Sequence, residues 1–591
     1  MAWDDGDPAS GPVSGAPAGV RERYAALVEG LGPDAPDVAL ASVSEPVDGT
    51  ATAELTVGWD LGGERRWSYP TRAELVRGDD GWQVVFTPEV VHPELGDDLG
   101  LTIRRTRPVR GEVVGTDGTP IVTPRPVVDV GVEPARTDDV ATLVDDLRDI
   151  LAISGDGLAE RIVSADPNAF VPVVTLREDA FAAVEDELLP LPGTVVRRGT
   201  LPLAPTADFA RALLGRAGDV TAERIEAHPQ RYAPGDVVGL SGLQRRYDEQ
   251  LFGEAGRQVV AVPVADAPEG VEEAVLHEVP AVDGSDVTVT LDERVQRAAD
   301  ETLADVSDAP SALVAVRVSD GHVVAVANGP GTAGAEIAVS GQYAPGSTFK
   351  VVTTAALLAD GLDPDATVGC EAEAVVDGRR FTNAEDGARG RVPFREAFAQ
   401  SCNTTFVSLA DDLDDDELAE AAGRFGVGGG HTLGVDAFTG SIPVNDGATD
   451  RAAAAIGQGR NLASPLAMAD VAATVARGGH RTPRLVLDPD PRDPAGEAPL
   501  DPQLATDLQA LTRQVVTDGT GSALADVPGD PVHGKTGTAE YGTETPPRTH
   551  AWFIGHQGDL AFAVLVAETR DSVGGRVAAP LAADFLTRLA D

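Results

Sequence analysis

The stretch Tyr343-Ala344-Pro345-Gly346-Ser347-Thr348-Phe349-Lys350 decides how the rest of the chain is interpreted. Lys350 follows Ser347 by three residues, so a helix would place hydroxyl and amine on one face. A serine hydroxyl is a weak nucleophile until an adjacent base accepts its proton. The apolar run from Val351 to Leu358 predicts a buried helix with Ser347 at its N-terminus, where free N–H groups favour developing negative charge. A capping serine beside a solvated lysine is the alternative reading of the same stretch.

Only two of the 46 basic residues are lysines, Lys350 and Lys535. Arginine does not lose its proton in a protein, whereas a buried ammonium group can do so near neutral pH. The two lysines therefore indicate positions that need a titratable amine. Lys535 lies in the run His533-Gly534-Lys535-Thr536-Gly537-Thr538, and Ser401-Cys402-Asn403 lies between the two lysines.

The ordered set Ser-x-x-Lys, Ser-x-Asn and Lys-Thr-Gly is the signature of penicillin-binding proteins and serine β-lactamases. With this set at Ser347, Ser401 and Lys535, the chain resembles a class B penicillin-binding protein, that is, a peptidoglycan D,D-transpeptidase. The resemblance implies an α+β multidomain protein whose catalytic domain has a five-stranded antiparallel sheet flanked by helices. It implies a serine-type acyltransferase without a cofactor or metal.

The resemblance also implies how the first two motifs act. Ser347 attacks the carbonyl carbon of the penultimate D-alanine in a stem peptide ending D-Ala-D-Ala, and Lys350 is the base. Ser401 relays a proton to the departing D-alanine, and Asn403 hydrogen-bonds Lys350 and the substrate amide. An amine of a neighbouring stem then takes the acyl group, whereas a β-lactam acylates Ser347 without efficient release.

The third motif is implied to bind the substrate. Lys535 supplies positive potential, while Thr536 and Thr538 bind the terminal carboxylate. The backbone N–H groups of Ser347 and Thr538 hold the oxyanion. Gly537 lets the substrate backbone lie against the strand, because a side chain there would block it.

Composition narrows the class of protein. A chain of 591 residues has room for two to four domains. The net charge of -49 argues against nucleic acid as a partner, because phosphate binding requires clustered positive charge. Acidic, arginine-over-lysine usage is typical of a high-GC genome such as that of an actinobacterium, and a salt-adapted source would look similar. No stretch reaches the roughly 18 apolar residues of a membrane span, and no signal-peptide pattern opens the chain.

Cys370 and Cys402 are the only cysteines, too few for a disulfide scaffold. A single bridge between them, outside the cytoplasm, and two buried thiols both fit the sequence.

The chain divides into three predicted domains. Residues 1–98 contain a helical pattern from Val20 to Val28 and a strand in which Ala53 to Leu61 alternate apolar and polar residues. Further short strands are expected at Trp67 to Tyr69 and at Leu75 to Arg77. This part resembles an NTF2-like domain, and Ala2 to Asp7 resemble the end of that domain's first helix. We therefore expect a domain that is truncated at its N-terminus, with a membrane anchor upstream.

Residues 99–283 resemble the pedestal, or dimerisation, domain of the family, on the evidence of Pro108 to Glu112 and Gly235 to Gln244. The third domain, residues 284–591, is the catalytic one. It begins with a strand from Val287 to Leu291, a helix from Glu293 to Leu303 capped by Asp292, and a hairpin around Ser319 to Gly321. Strands at Ala551–Gly555 and Leu560–Val566 and a helix from Pro580 to Leu589 end it.

Two other kinds of active site do not fit the sequence. A Ser-His-Asp hydrolase needs Gly-x-Ser-x-Gly, which does not occur at Ser347, and the nine histidines have no metal-ligand spacing. His533 is expected to pack beneath its strand, and Gly457-Gln458-Gly459 resembles a glycine-rich family motif near the site. The chain has no room for a glycosyltransferase domain.

A β-lactamase or D,D-carboxypeptidase of the same superfamily is the enzymatic alternative, and a non-catalytic cell-wall scaffold is the alternative of another class. The resemblance places the enzyme at the extracytoplasmic face of the plasma membrane, with a membrane glycosyltransferase as partner.

Overall fold

The structure is a computed structural model that describes residues 3, 7–32, 35–62, 65–79, 81–265, 267–384, 387–430, 433–488, 498–570 and 573–590. The expectation for Ala2 to Asp7 therefore lies almost wholly outside the described residues. The described chain forms two compact units. The first contains residues up to Gly111 together with Asp219–Val238 and Glu249–Ser285, and the second contains Glu112–Gly218, Gly239–Asp248 and the chain from Asp286 onwards.

The strands in chain order are β1 (Asp37–Val43), β2 (Thr50–Asp60), β3 (Arg66–Gly78), β4 (Gly81–Val85), β5 (Leu99–Thr106), β6 (Val113–Val114), β7 (Pro120–Val132), β8 (Val171–Arg177), β9 (Thr194–Leu203), β10 (Ala217–Asp219), β11 (Val237–Gly239), β12 (Gly256–Pro263), β13 (Ala274–Val279), β14 (Val287–Val289), β15 (Ser311–Arg317), β16 (Val323–Asn328), β17 (Thr367–Cys370), β18 (Glu373–Val376), β19 (Arg379–Thr382), β20 (Gly390–Pro393), β21 (Gly479–His480), β22 (Val486–Asp488), β23 (Ala498–Pro499), β24 (His533–Tyr541), β25 (Arg548–Gln557) and β26 (Leu560–Arg570).

The α-helices are α1 (Pro17–Val28), α2 (Pro88–Val91), α3 (Val140–Leu151), α4 (Leu158–Ser164), α5 (Glu178–Ala182), α6 (Glu185–Leu188), α7 (Arg211–Leu214), α8 (Ala222–Ala227), α9 (Gly242–Arg246), α10 (Asp248–Phe252), α11 (Glu293–Leu303), α12 (Lys350–Ala359), α13 (Phe394–Ala399), α14 (Asn403–Leu409), α15 (Glu417–Arg424), α16 (Ala448–Ala455), α17 (Pro465–Arg477), α18 (Pro502–Asp518) and α19 (Gly574–Ala590).

The first unit is built on an antiparallel sheet in the order β1-β2-β3-β4. Burial alternates along β2 as its sequence predicts, so Leu55, Val57 and Trp59 enter the core while Glu54 and Thr56 face solvent. The helix α1 packs Tyr24 and Leu27 against the same core. This arrangement confirms the predicted helix and sheet.

One strand of this sheet differs from the prediction. The two short strands expected at Trp67 to Tyr69 and at Leu75 to Arg77 form a single strand, β3, that passes through Pro70. Pro70 is opposite Thr56 of β2, whereas β4 pairs with β3 only from Glu74 onwards. Proline is tolerated in the strand because its missing N–H can face the side that lacks a neighbouring strand.

The second unit contains a six-stranded sheet in the order β22-β14-β6-β7-β8, with β9 also paired to β7. The strand predicted to open the catalytic domain, Val287 to Leu291, is shortened to β14 and belongs to this sheet. There Val287 pairs in parallel with Val113. Sequence pattern alone gives no partner for so short a strand. The boundaries at 98/99 and 283/284 stay predictions.

The same unit contains the predicted five-stranded sheet, with antiparallel strands in the order β16-β15-β26-β25-β24. Helices α11, α17, α18 and α19 pack against this sheet. The strand order leaves β24, which carries Lys535, at the edge. Asp292 caps α11 by accepting from Arg294 N and Val295 N, as predicted. An edge strand can present backbone groups to a substrate, so this order matters for the site.

The last helix begins earlier than predicted. Helix α19 starts at Gly574, so Pro580, which we expected at its first position, lies inside it. Proline there removes one helical hydrogen bond. Burial of Ala578, Ala582 and Phe585 against the sheet outweighs this cost. Among the described helices, none has both the length and the hydropathy needed to cross a bilayer.

Candidate active site

Ser347 lies in a tight turn at the start of the nucleophile helix. A 3₁₀ turn, Gly346–Phe349, runs directly into α12, and this confirms the predicted helix start at Ser347. Ser347 is only partly buried, whereas Lys350 one turn later is 0% exposed. The position thus combines an accessible hydroxyl with free N–H groups of a helix start.

Three contacts fix this turn against its neighbours. Gly346 has φ +52°, and a Cβ there would come within 2.4 Å of Thr538 O, so only glycine fits against β24. Gly346 N donates to Gly457 O at 2.9 Å, which brings the Gly457-Gln458-Gly459 stretch beside the site. Trp552 Nε1 donates to Ala344 O at 3.0 Å. The nucleophile turn is therefore held between the edge strand β24 and the stretch Gly457-Gln458-Gly459.

Ser401 lies just past the C-terminal end of α13 in a left-handed conformation, with φ +59°. Ser401 N donates to Phe398 O and Cys402 N donates to Ala397 O, the bond pattern of a Schellman motif. Glycine is the usual residue at this position, so a serine here carries a backbone strain of about 1–3 kcal/mol. The turn presents both the carbonyl and the hydroxyl of Ser401 to the buried lysines.

Cys370 and Cys402 are bridged, with their Cα atoms 6.1 Å apart. The bridge confirms one of the two alternatives that the sequence left open, and it ties the residue between Ser401 and Asn403 to the end of β17. Asn403 is the first residue of α14.

Lys350 is surrounded by neutral oxygen atoms. Its Nζ donates to Ser401 O at 2.8 Å and to Asn403 Oδ1 at 2.7 Å, and it lies 3.4 Å from Ser401 Oγ. The ring centre of Phe406 is 5.1 Å from Nζ and closes the pocket on another side. A neutral amine has two N–H groups and one lone pair, so these two strong bonds leave the lone pair free.

Lys535 approaches the same serine from the edge strand. Its Nζ donates to Ser401 Oγ at 2.8 Å and to Thr536 O at 3.0 Å. Lys535 is also 0% exposed, and in the described part of the chain neither lysine forms an ion pair with a carboxylate. Ser401 Oγ therefore lies between the two amines.

Burial without a counter-charge changes the protonation of both lysines. Burial lowers the pKa of Lys350 well below its ordinary value, and repulsion from Lys535 lowers that pKa further. Burial lowers the pKa of Lys535 to about 7. The lowered pKa of Lys350 favours the unprotonated amine, which is the state required of a base.

Thr536, Gly537 and Thr538 line the strand next to the nucleophile turn. Thr536 Oγ1 is 2.5 Å from Thr520 Oγ1, and Thr538 Oγ1 accepts from Gly574 N at 3.0 Å. A Cβ on Gly537 would lie 2.8 Å from Thr348 Cγ2 and 2.9 Å from Pro345 O. The glycine is therefore needed for packing of the nucleophile turn, a reason the sequence did not suggest.

The structure brings all three motifs together but does not hydrogen-bond Ser347 to Lys350. Within the described residues the Ser347 hydroxyl has no hydrogen-bond partner, while Lys350 contacts the Ser-x-Asn motif and Lys535 contacts Ser401. His533 packs as expected: its Nδ1 is 2.9 Å from Gln509 O and its ring stacks on His556 at 4.5 Å. Thr520 and Trp552 belong to no motif, and no sequence signal would have placed them at the site.

Three protein families match consecutive parts of the chain. The penicillin binding protein transpeptidase domain matches residues 311–587, the penicillin-binding protein dimerisation domain matches residues 105–289, and the NTF2-like N-terminal transpeptidase domain matches residues 16–99. Peptidoglycan D,D-transpeptidase PbpA of Mycolicibacterium smegmatis is 32% identical over 430 residues, which is 61% of this chain and 82% of PbpA. The chain belongs to the class B penicillin-binding proteins. The resemblance drawn from the three motifs is thereby confirmed.

Other relatives agree with this placement. Peptidoglycan D,D-transpeptidase MrdA of Escherichia coli is 26% identical over 406 residues, 61% of this chain and 63% of MrdA. A chain from a peptidoglycan synthase complex that coordinates polymerization and crosslinking has a TM-score of 0.61 and 26% identity, covering 83% of this chain and 91% of its own length. A chain from the Helicobacter pylori complex between PBP2 and MreC shares the fold, with a TM-score of 0.60, 18% identity and coverage of 83% and 99%.

Proposed function

We propose that this class B penicillin-binding protein is a peptidoglycan D,D-transpeptidase that works through an acyl-enzyme on Ser347. The observation that carries the proposal is the state of Lys350: fully buried, held by two neutral oxygens, and with a pKa lowered well below its ordinary value. A base in that state can accept the Ser347 proton as the hydroxyl attacks.

In the proposed acylation, Ser347 Oγ bonds to the carbonyl carbon of the penultimate D-alanine while its proton passes to Lys350. The backbone N–H groups of Ser347 and Thr538, one at a helix start and one on an edge strand, stabilise the oxyanion. Collapse of the intermediate breaks the peptide bond to the last D-alanine. The proton travels through Ser401, whose hydroxyl lies between the two amines, to the departing amino group.

The remaining motif residues would bind and orient the substrate. Thr536 and Thr538 receive the terminal carboxylate, Lys535 supplies positive potential, and Asn403 contacts the substrate amide. The amine of a second stem peptide then attacks the ester carbonyl and releases Ser347, which forms the cross-link. A β-lactam would acylate Ser347 in the same way and leave slowly.

The other parts of the chain would support this reaction. We assign residues 1–98 to an NTF2-like domain, 99–283 to a pedestal and partner surface, and 284–591 to the transpeptidase domain. The bridged cysteines fit an oxidising compartment, in keeping with the extracytoplasmic face of the plasma membrane. A membrane glycosyltransferase is the proposed partner.

Labelling with a fluorescent penicillin, followed by mass spectrometry of the digested protein, tests the proposal. Wild type should carry one adduct on the peptide that contains Ser347, and Ser347→Ala should carry none. Ser340→Ala, at an exposed serine nearby, is the matched control and should label like wild type. Labelling that survives Ser347→Ala would reject the mechanism.

A further inference from the structure

Asn383 is a buried polar residue next to the site that no motif contains. It directly follows β19 and is 8% exposed. A buried amide needs partners for its carbonyl and for both of its N–H groups, and leaving one without a partner is costly. The contacts of Asn383 therefore indicate what it holds in place.

All three hydrogen-bonding groups of this amide are used. Nδ2 donates to Glu371 O at 2.8 Å and to Gly387 O at 2.6 Å, and Oδ1 accepts from Thr404 N at 3.1 Å. The two carbonyls can only accept and the backbone N–H can only donate, so the amide fits in one orientation. Asn383 thus joins two parts of the loop around it to the start of α14.

The start of α14 needs a partner from outside the helix. Its first N–H groups have no intrahelical acceptors, and the residue at its N-cap is Cys402, whose side chain makes no capping bond. That cysteine is committed to the bridge with Cys370. Asn383 supplies the cap from a distant segment, a role that asparagine commonly has within its own helix.

The residue before Asn383 fixes Asn403 itself. Thr382 O accepts from Asn403 Nδ2 at 2.9 Å, and because a carbonyl can only accept, the amide of Asn403 must turn its Oδ1 the other way. That oxygen then meets Lys350 Nζ at 2.7 Å. If the end of β19 moved, the Asn403 amide could rotate and present N–H groups to the amine.

We infer that Asn383 is a positioning residue of the acylation reaction. It holds the end of β19 against α14, so that Asn403 keeps its carbonyl oxygen on Lys350. This inference rests on the proposed function, because it assigns Asn383 a role through the base of that mechanism. Within the described residues Asn383 makes no hydrogen bond to Ser347 or Lys350, and its effect should pass entirely through Asn403.

A double-mutant cycle tests whether Asn383 acts on the reaction through Asn403. The acylation rate constant is measured with a fluorescent penicillin for wild type, Asn383→Ala, Asn403→Ala and the double variant, using mass spectrometry over hours for slow variants. We expect Asn383→Ala to lower the rate about 10-fold when Asn403 is present, on the scale of a misplaced catalytic group. With Asn403 removed, the same substitution should cost less than about 2-fold, because coupled sites are not additive.

Thr405→Val is the matched control. Thr405 is also buried on α14, and its hydroxyl donates to Gly369 O at 2.7 Å without touching Asn403. Its effect on the rate should be the same with and without Asn403. If Asn383→Ala does not fold, Asn383→Asp replaces it, since a carboxylate keeps the acceptor for Thr404 N but repels the two carbonyls.

Two failures can be told apart. If wild type is not acylated at Ser347, the proposed function fails. If wild type is acylated but the Asn383 substitution costs the same factor with and without Asn403, Asn383 is merely structural and the inference is wrong.

Discussion

Arg105 in the first unit and Lys350 in the second are both largely buried basic side chains, but their partners differ. Arg105 donates to the Asp236 carboxylate and to Arg231 O, both at 2.8 Å, and the Asp236 side chain is only 1% exposed. Lys350 has two neutral oxygens instead. A buried carboxylate stabilises a positive charge, whereas burial among neutral groups disfavours it.

The difference explains why lysine is kept at two positions of an arginine-rich chain. Arginine is suited to ion pairs with carboxylates, since its charge is permanent and its planar group matches a carboxylate. Lysine remains at the two places where burial has to shift a pKa. Substitutions that change the residue type or its partner at these positions test whether the partner sets the charge.

The largest effect is expected from Lys350→Arg. The change keeps positive charge and reach but removes the only group able to accept the Ser347 proton. Acylation should fall by about 10² or more, the usual scale for loss of a general base. Stopped-flow measurement against wild type checks this, and a near wild-type rate would mean that lysine was retained for another reason.

Asn403→Asp would give Lys350 the kind of partner that Arg105 has. A carboxylate beside the amine should raise the pKa of Lys350, so less of it is neutral at pH 7. An adjacent opposite charge shifts a pKa by one to three units, and acylation at pH 7 should fall about tenfold for each unit by which the pKa of Lys350 rises above 7.

Raising the pH distinguishes a raised pKa of Lys350 from a disrupted site. The Asn403→Asp rate should recover towards pH 9 as Lys350 loses its proton again. A loss that is equal at pH 7 and pH 9 would instead indicate that the carboxylate disrupts the contact with Thr382 O.

Lys535→Arg should cost less, about 10-fold, because it keeps the positive potential but places a planar fork where a compact ammonium fits. The loss should depend on which β-lactam is used, since the crowding concerns its carboxylate. A uniform loss of the size seen for Lys350→Arg would show that both lysines act as bases.

The smallest effect is expected in the first unit. Arg105→Lys keeps the charge but loses a hydrogen bond, so the free energy of unfolding should fall by about 1 kcal/mol. Denaturant titration measures the stability, and the acylation rate should not change. A change in acylation would mean that the two regions are coupled.

The sequence predicted the motif residues and the elements with strong local signals. Asp292 followed by a helical pattern predicted α11 with correct ends, because a cap and a buried face agree there. The alternation from Ala53 to Leu61 predicted one face of β2 for the same reason. The ordered motifs at Ser347, Ser401 and Lys535 implied, through the resemblance to the family, that these residues share one site.

Features set by tertiary contacts were not predictable. Nothing local indicates that Ser401 adopts a left-handed conformation, or that β3 continues through Pro70. The position of β24 at the sheet edge depends on strand order, which no single strand encodes. Thr520 and Asn383 are single polar residues whose roles arise only from what the fold places beside them.

The pH dependence of wild-type acylation tests the central claim, that Lys350 is neutral because it is buried among neutral oxygens. A lysine with a lowered pKa is neutral above that pKa, so between pH 7 and pH 10 the rate should level off well before the pKa of an ordinary lysine is reached. The pKa of Lys535, about 7, can add only a decline in this range as its positive charge is lost. A rate that climbs about tenfold per pH unit from pH 7 to pH 10 would show an ordinary lysine and contradict the account.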